Sequence, residues 1–85
     1  MSYDVELLPA ARRQLRKLPH LAQKQIATII DTLAEDPRPS GCRPLKGDLK
    51  GFYRLRSGDY RVIYAIKDEQ LIVLIVKVAD RREAY

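Results

Sequence analysis

Eight residues of this chain stand out as a set that could handle a phosphate: Lys46, Lys50, Arg54, Arg56, Arg61, Arg81, Arg82 and Tyr85. All stand in the second half, where residues 43–85 carry ten Lys/Arg against six acids; residues 1–42 carry six against five, so the second half holds +4 of the net +5. A basic face of that kind attracts polyanions, nucleic acid first and an acidic protein second. Among nucleic acids, RNA brings its own nucleophile, the 2′-hydroxyl. A catalyst then has to hold in-line geometry, stabilise negative charge on the phosphorane and move a proton. Arginine supplies the charge through planar paired donors that match phosphate oxygens, and it stays protonated. Its pKa, above about 12, makes it a poor base, whereas tyrosine, near about 10, can serve if neighbouring positive charge lowers it. Tyr85, close in sequence to Arg81 and Arg82, is the best candidate for that role. Such an enzyme would depend more on orienting its substrate than on acid–base strength.

Other chemistries lack their residues. The chain has no serine–histidine–acid set and no phosphate-cradling glycine loop, and "LKGDLKG" reads as a turn. His20, beside Pro19 at a helix start, reads as a surface residue. Cys42 is the only cysteine, so no intramolecular disulfide can form, and one Cys with one His leaves no zinc ligand set. No metal and no cofactor are expected. No apolar run approaches the roughly 20 residues that span a bilayer, so no membrane segment is expected, and no secretory signal is visible. The expected compartment is the cytoplasm.

The elements that must position the basic residues follow from periodicity. The length suits one domain over residues 1–85, with any site on a sheet face or edge. "SYDVELL" reads as a short strand. Pro9 suits the first turn of a helix that Pro19 interrupts. From His20 a second helix sets Ile26, Ile29, Ile30 and Leu33 on one apolar stripe before "EDPRP" ends it. After the turn-rich "DPRPSGCRPLKGD" come strands near 51–56, 60–67 and 71–78. The order is β-α-α-β-β-β, an α+β fold with a helix hairpin packed on one side of a small antiparallel-rich sheet. In "FYRLRSGDYRVIY" a four-residue loop sets Leu55 opposite Tyr60 and Tyr53 opposite Val62, leaving one face wholly apolar, and it sets Arg54 against Arg61. A three-residue loop would mix charge into both faces, so the four-residue loop is expected. Two arginines facing each other repel, which suits a site built for an anion.

"LKGDLKGFYRLRSGDYRVIYAI", followed by "VLIVKVADRREAY", resembles the RelE/ParE superfamily of bacterial toxins over essentially the whole chain, most specifically in "GDYRVIY" and in the closing strand with "RREAY". The RelE branch comprises ribosome-dependent mRNA endonucleases that cut the message in the ribosomal A site. The resemblance implies a RelE-like fold, the ribosome and mRNA as partners, and an acidic cognate antitoxin that wraps the toxin. It implies contact with operator DNA only indirectly, through the toxin–antitoxin complex. By position, Arg61 and Arg81 match the arginines used at the scissile phosphate, Tyr85 matches the C-terminal catalytic tyrosine, and Arg54 falls where a catalytic lysine stands. Lys46, Lys50, Arg56 and Arg82 are then RNA-binding candidates. Two departures matter. The second lysine of the group falls at Phe52, which cannot donate, so that Lys50 or Arg56 would have to substitute. Many relatives have histidine where this chain has Asp80, an acid able to orient or partly neutralise Arg81. The chain is also short for the family: either the natural protein stops at Tyr85 or a few residues are missing. Two alternatives stand beside the interferase: a ParE-like toxin that poisons DNA gyrase without cutting RNA, and a basic binding module with no activity.

Overall fold

Pro9, Pro19 and Pro37 mark the helix boundaries in the first half of the chain. The computed structural model describes residues 2–80, beginning with strand β1 (Asp4–Leu7). Helix α1 (Pro9–Arg16) starts with Pro9 in its first turn, where a missing N–H costs nothing. Arg13 and Arg16 occupy its last turn, favourable against the carbonyl end of the helix dipole. Pro19 then disfavours helical geometry at Leu18 and forms the boundary before helix α2 (His20–Glu35). In α2 the buried residues Ala22, Ile26, Ile29 and Leu33 fall on one stripe, with Ile30 partly buried beside it. Asp36, extended and followed by Pro37, ends the helix.

The remaining strands are β2 (Arg43–Pro44), β3 (Tyr53–Ser57), β4 (Tyr60–Lys67) and β5 (Ile72–Asp80). They join β1 in a five-stranded sheet of order β1-β5-β4-β3-β2. The expected α+β architecture is therefore present, with two refinements. The pairing of β1 with β5 is parallel, which makes the sheet mixed, and β2 is an additional strand of two residues. Both helices cover the same face. Val62 and Tyr64 of β4, Val73, Ile75 and Val78 of β5, and Leu55 of β3 form the core with Ile26 and Leu33. Burying such side chains is worth about 1.5–3 kcal/mol each.

The β3–β4 hairpin departs from expectation in one respect. Its loop has two residues, Gly58 and Asp59, so Leu55 pairs with Val62, Tyr53 with Tyr64 and Arg56 with Arg61. Gly58, with φ of 58°, supplies the left-handed first position that a tight hairpin of the Gly-X kind requires. A shift of two residues keeps every side chain on its expected face, which is why the apolar pattern alone suited either register. Arg54 consequently faces Ile63 instead of Arg61.

Candidate nucleic-acid interface

Strand alternation decides which side chains the helices leave uncovered. In β4, Val62 and Tyr64 join the core beneath the helices, so Arg61 and Ile63 belong to the opposite, open face. In β3, Leu55 is core and Arg54 and Arg56 are open. The register brings these together across the sheet. Arg56 is directly opposite Arg61, and Arg61 is opposite Ala79 of β5. Two residues along, Arg43 of β2 is opposite Arg54, which is opposite Ile63, which is opposite Lys77 of β5. The open face thus carries two cross-strand arginine pairs, an arrangement that is unfavourable unless something anionic screens it.

Arg61 is partly buried, with its Nε and Nη1 atoms shielded from solvent, and Arg54 and Lys77 are partly buried too, whereas Arg43 and Arg56 are exposed. A guanidinium remains charged when withdrawn from water, and its field there is screened less. Ile63 and Ala79, at 5% and 8% exposed, form an apolar floor between the cations. Charge on this face is not uniform. Val5 and Leu7 pack toward the core, which turns Asp4 and Glu6 of β1 to the open face at the far side of the sheet.

Of the residues expected at the site, Arg54, Arg56 and Arg61 are brought together. Lys46 and Lys50 flank a single 3-10 turn, Gly47–Leu49, ahead of the opposite end of β3. From Phe52, where this turn rejoins β3, to the Arg56–Arg61 pair is four residues, about 13 Å at strand spacing. Arg81, Arg82 and Tyr85 lie outside the described residues. Asp80 pairs with Tyr60 on the helix-facing side. Arg43 and Lys77 are additions the sequence reading missed. The apolar period of β5 reveals Lys77 only once the register shift between Ile63 and Tyr64 is known.

Two further features stand apart. The pairing of β1 with β5 runs from Asp4 and Ile72 to Leu7 and Ile75, so among the described residues no strand pairs with Val76–Asp80 on that side; there Val78 donates its N–H to Gln14 Oε1 at 2.9 Å. A cavity of about 390 Å³ lies beside it, lined by Gln14, Lys17, Leu18 and the stretch from Lys77 to Asp80. Elsewhere, Arg38 makes a paired contact with Asp68, Nη1 to Oδ1 at 3.2 Å and Nη2 to Oδ2 at 2.9 Å, and the Tyr3 hydroxyl donates to Oδ1 at 2.9 Å. The hydrogen bond from Arg38, then that from Tyr3, lowers the Asp68 pKa; the bond to Asp68 raises that of Tyr3. The Arg38 guanidinium also lies 5.5 Å from the centre of the Tyr53 ring, which stacks on Tyr64 at 5.8 Å. Among the described residues no group of three or more His, Cys, Asp or Glu is placed to hold a metal ion, and no helix is long and apolar enough to cross a membrane.

The family model for the ParE toxin of type II toxin–antitoxin systems, parDE, matches residues 5–85. Toxin RelE of Mycobacterium tuberculosis is 37% identical over 84 residues, 98% of this chain and 86% of that protein. The mRNA interferase toxin RelE of Escherichia coli K12 is 28% identical over 86 residues, 99% of this chain and 88% of that protein. Among solved structures, the toxin–antitoxin complex RelBE2 of M. tuberculosis contains a chain that superposes with a TM-score of 0.87 at 33% identity, covering 95% of this chain and 100% of that one. With its helix pair, its mixed sheet and its arginine-bearing open face, the chain belongs to the RelE/ParE superfamily of toxins from type II toxin–antitoxin systems.

Proposed function

We propose that this protein is a ribosome-dependent mRNA endonuclease held inactive by a cognate antitoxin. The observation that carries the reading is the pair of cross-strand arginine contacts on the open sheet face, Arg56 with Arg61 and Arg43 with Arg54. The M. tuberculosis relative in complex with its antitoxin and the E. coli relative named an mRNA interferase support it. In this reading the 2′-hydroxyl attacks the adjacent phosphorus, the bond to the 5′-oxygen breaks and that oxygen takes up a proton. Arg61 and Arg81 stabilise the charge on the phosphorane, Arg54 holds the phosphate and Tyr85 is the proton-transfer group. The register supports the grouping of Arg61 with Arg81, because Arg61 lies against Ala79, two residues before Arg81 in the chain. Arg56 and Arg82 bind the RNA backbone, and Lys46 and Lys50, from the other end of β3, reach flanking nucleotides or the ribosome. The antitoxin presents acidic residues to the same face. Operator DNA is then met only through the toxin–antitoxin complex, and the toxin acts in the cytoplasm.

The test adds the purified protein to a reconstituted translation reaction with a defined message and maps new 5′ ends by primer extension. Cuts should appear at codon-phased positions and require ribosomes. They should fall by about 100-fold or more in Arg61→Ala and Arg81→Ala, the cost of removing one preorganised charge-stabilising donor, and diminish in Tyr85→Phe. The match to the ParE model favours a second reading, gyrase inhibition. An intact message together with lost supercoiling activity of gyrase would establish that reading instead.

A further inference from the structure

The register places cations on the open face of four adjacent strands, β2, β3, β4 and β5. Arg43, Arg54 and Lys77 stand in one row from β2 to β5, interrupted only by Ile63 on β4. The row covers three strand spacings, about 14 Å. A second row, Arg56 and Arg61 with Ala79 beyond, runs beside it two residues along, about 7 Å away. Each row has an apolar gap where the other has a cation: Ile63 stands next to Arg61 along β4, and Ala79 stands next to Lys77 along β5.

We infer that a single-stranded RNA backbone lies across the strands between these rows, with Arg43 and Lys77 as phosphate contacts at its two ends. The inference deepens the nuclease reading and rests on it for the identity of the polyanion. Three observations set the direction. Running along the strands toward the Ile72–Leu74 end of β5, a polyanion would come level with Asp4 and Glu6 of the adjoining β1, on the same face. Running across them, it meets a cation on each of β2, β3, β4 and β5. The pairing of β1 stops at Ile75, so at Lys77 β5 is the edge of the sheet among the described residues, and the backbone leaves over it. Lysine is also the residue for that end. Its flexible stem and point charge can follow a moving strand, whereas the arginines hold phosphate in a fixed planar geometry.

The test measures binding of a 2′-O-methyl oligoribonucleotide, which cannot be cleaved, by fluorescence anisotropy across a salt series. Each lost phosphate contact on a single strand lowers the slope of log affinity against log salt by about 0.7. Lys77→Met and Arg43→Met should each reduce it by that amount, equivalent to about a fivefold smaller loss of affinity over a tenfold rise in salt. Lys77→Arg should restore the slope, and Lys24→Met, on helix α2, should leave it as in the wild type. Circular dichroism confirms that each variant is folded. Slopes for Lys77→Met and Arg43→Met that match Lys24→Met overturn the inference, as does a change seen only with a poly-glutamate peptide, which would make the face a protein-docking surface. Because no cleavage is read, altered slopes beside an uncut message would sink the nuclease reading and leave the RNA track standing.

Discussion

A hydroxyl inside the core shows how much one atom can matter in this fold. Tyr64 is fully buried and donates to the Pro37 carbonyl at 2.8 Å, fixing the chain just after α2 to the central strand of the sheet. Burial, and then the neighbouring Cys42, pushes its pKa upward, so the folded protein holds this proton more tightly than the unfolded chain does. Stability from that proton is complete below the ordinary tyrosine value of about 10 and declines as pH rises beyond it. Tyr64→Phe should cost about 1–2 kcal/mol near neutrality, measured by urea unfolding, for the lost bond and the stranded carbonyl. The gap between the two proteins should narrow above about pH 10, where only the wild type gains by releasing the proton on unfolding. A gap that stays constant would show that Tyr64 titrates alike in both states.

Two connections illustrate opposite uses of left-handed backbone. Gly58 occupies it at the hairpin tip, with only the Gln25 side chain approaching, at 3.7 Å, the place a β-carbon would take. Gly58→Ala should therefore destabilise by about 1 kcal/mol through backbone strain and not through a clash. Leu71 adopts the same region, with φ of 56°, and its carbonyl accepts the Asp4 N–H at 2.8 Å, which sets β5 beside β1. Leu71 is partly exposed, so Leu71→Asn should stabilise by a few tenths to about 1 kcal/mol by removing strain. Thermal unfolding of both variants checks the pair, and a loss in each would mean that the Leu71 side chain contributes more than its backbone costs. Much at this scale was legible in the sequence. The stripe through Ile26, Ile29, Ile30 and Leu33 announced α2, and prolines marked its ends. β2 was hidden because two residues, one of them Pro44, carry no period. The hairpin register was ambiguous because apolar alternation repeats every two residues. That ambiguity moved the arginine facing Arg61 from Arg54 to Arg56 without altering the face on which the basic residues gather.

Across the whole molecule, contacts between remote segments hold the framework, and these were invisible to any local pattern. Tyr3 ahead of β1, Arg38 after α2 and Asp68 in the 3-10 turn between β4 and β5 close one cluster at the surface. The Asp68 pKa is lowered in the fold, so its stabilising contribution is present above the usual carboxylate value of about 4 and fades as pH falls through the folded one. Both charges are about half exposed, so the effect is modest and weakened by salt. The urea midpoint of Asp68→Asn should lie below that of the wild type at pH 7 and converge with it in acid; parallel curves would leave the cluster without an electrostatic role. The parallel pairing of β1 with β5 reaches furthest along the chain. Asp4 meets Ile72, and β5 also separates β1 from β4. Pairings this distant in sequence form late, because loop closure must precede any reward. A nascent chain therefore cannot close its sheet until β5 has been synthesised and has emerged from the ribosome. The arginines of β3 and β4 come out earlier, yet gain their final neighbours only then, so the basic face matures after the strands that carry most of its charge have already appeared.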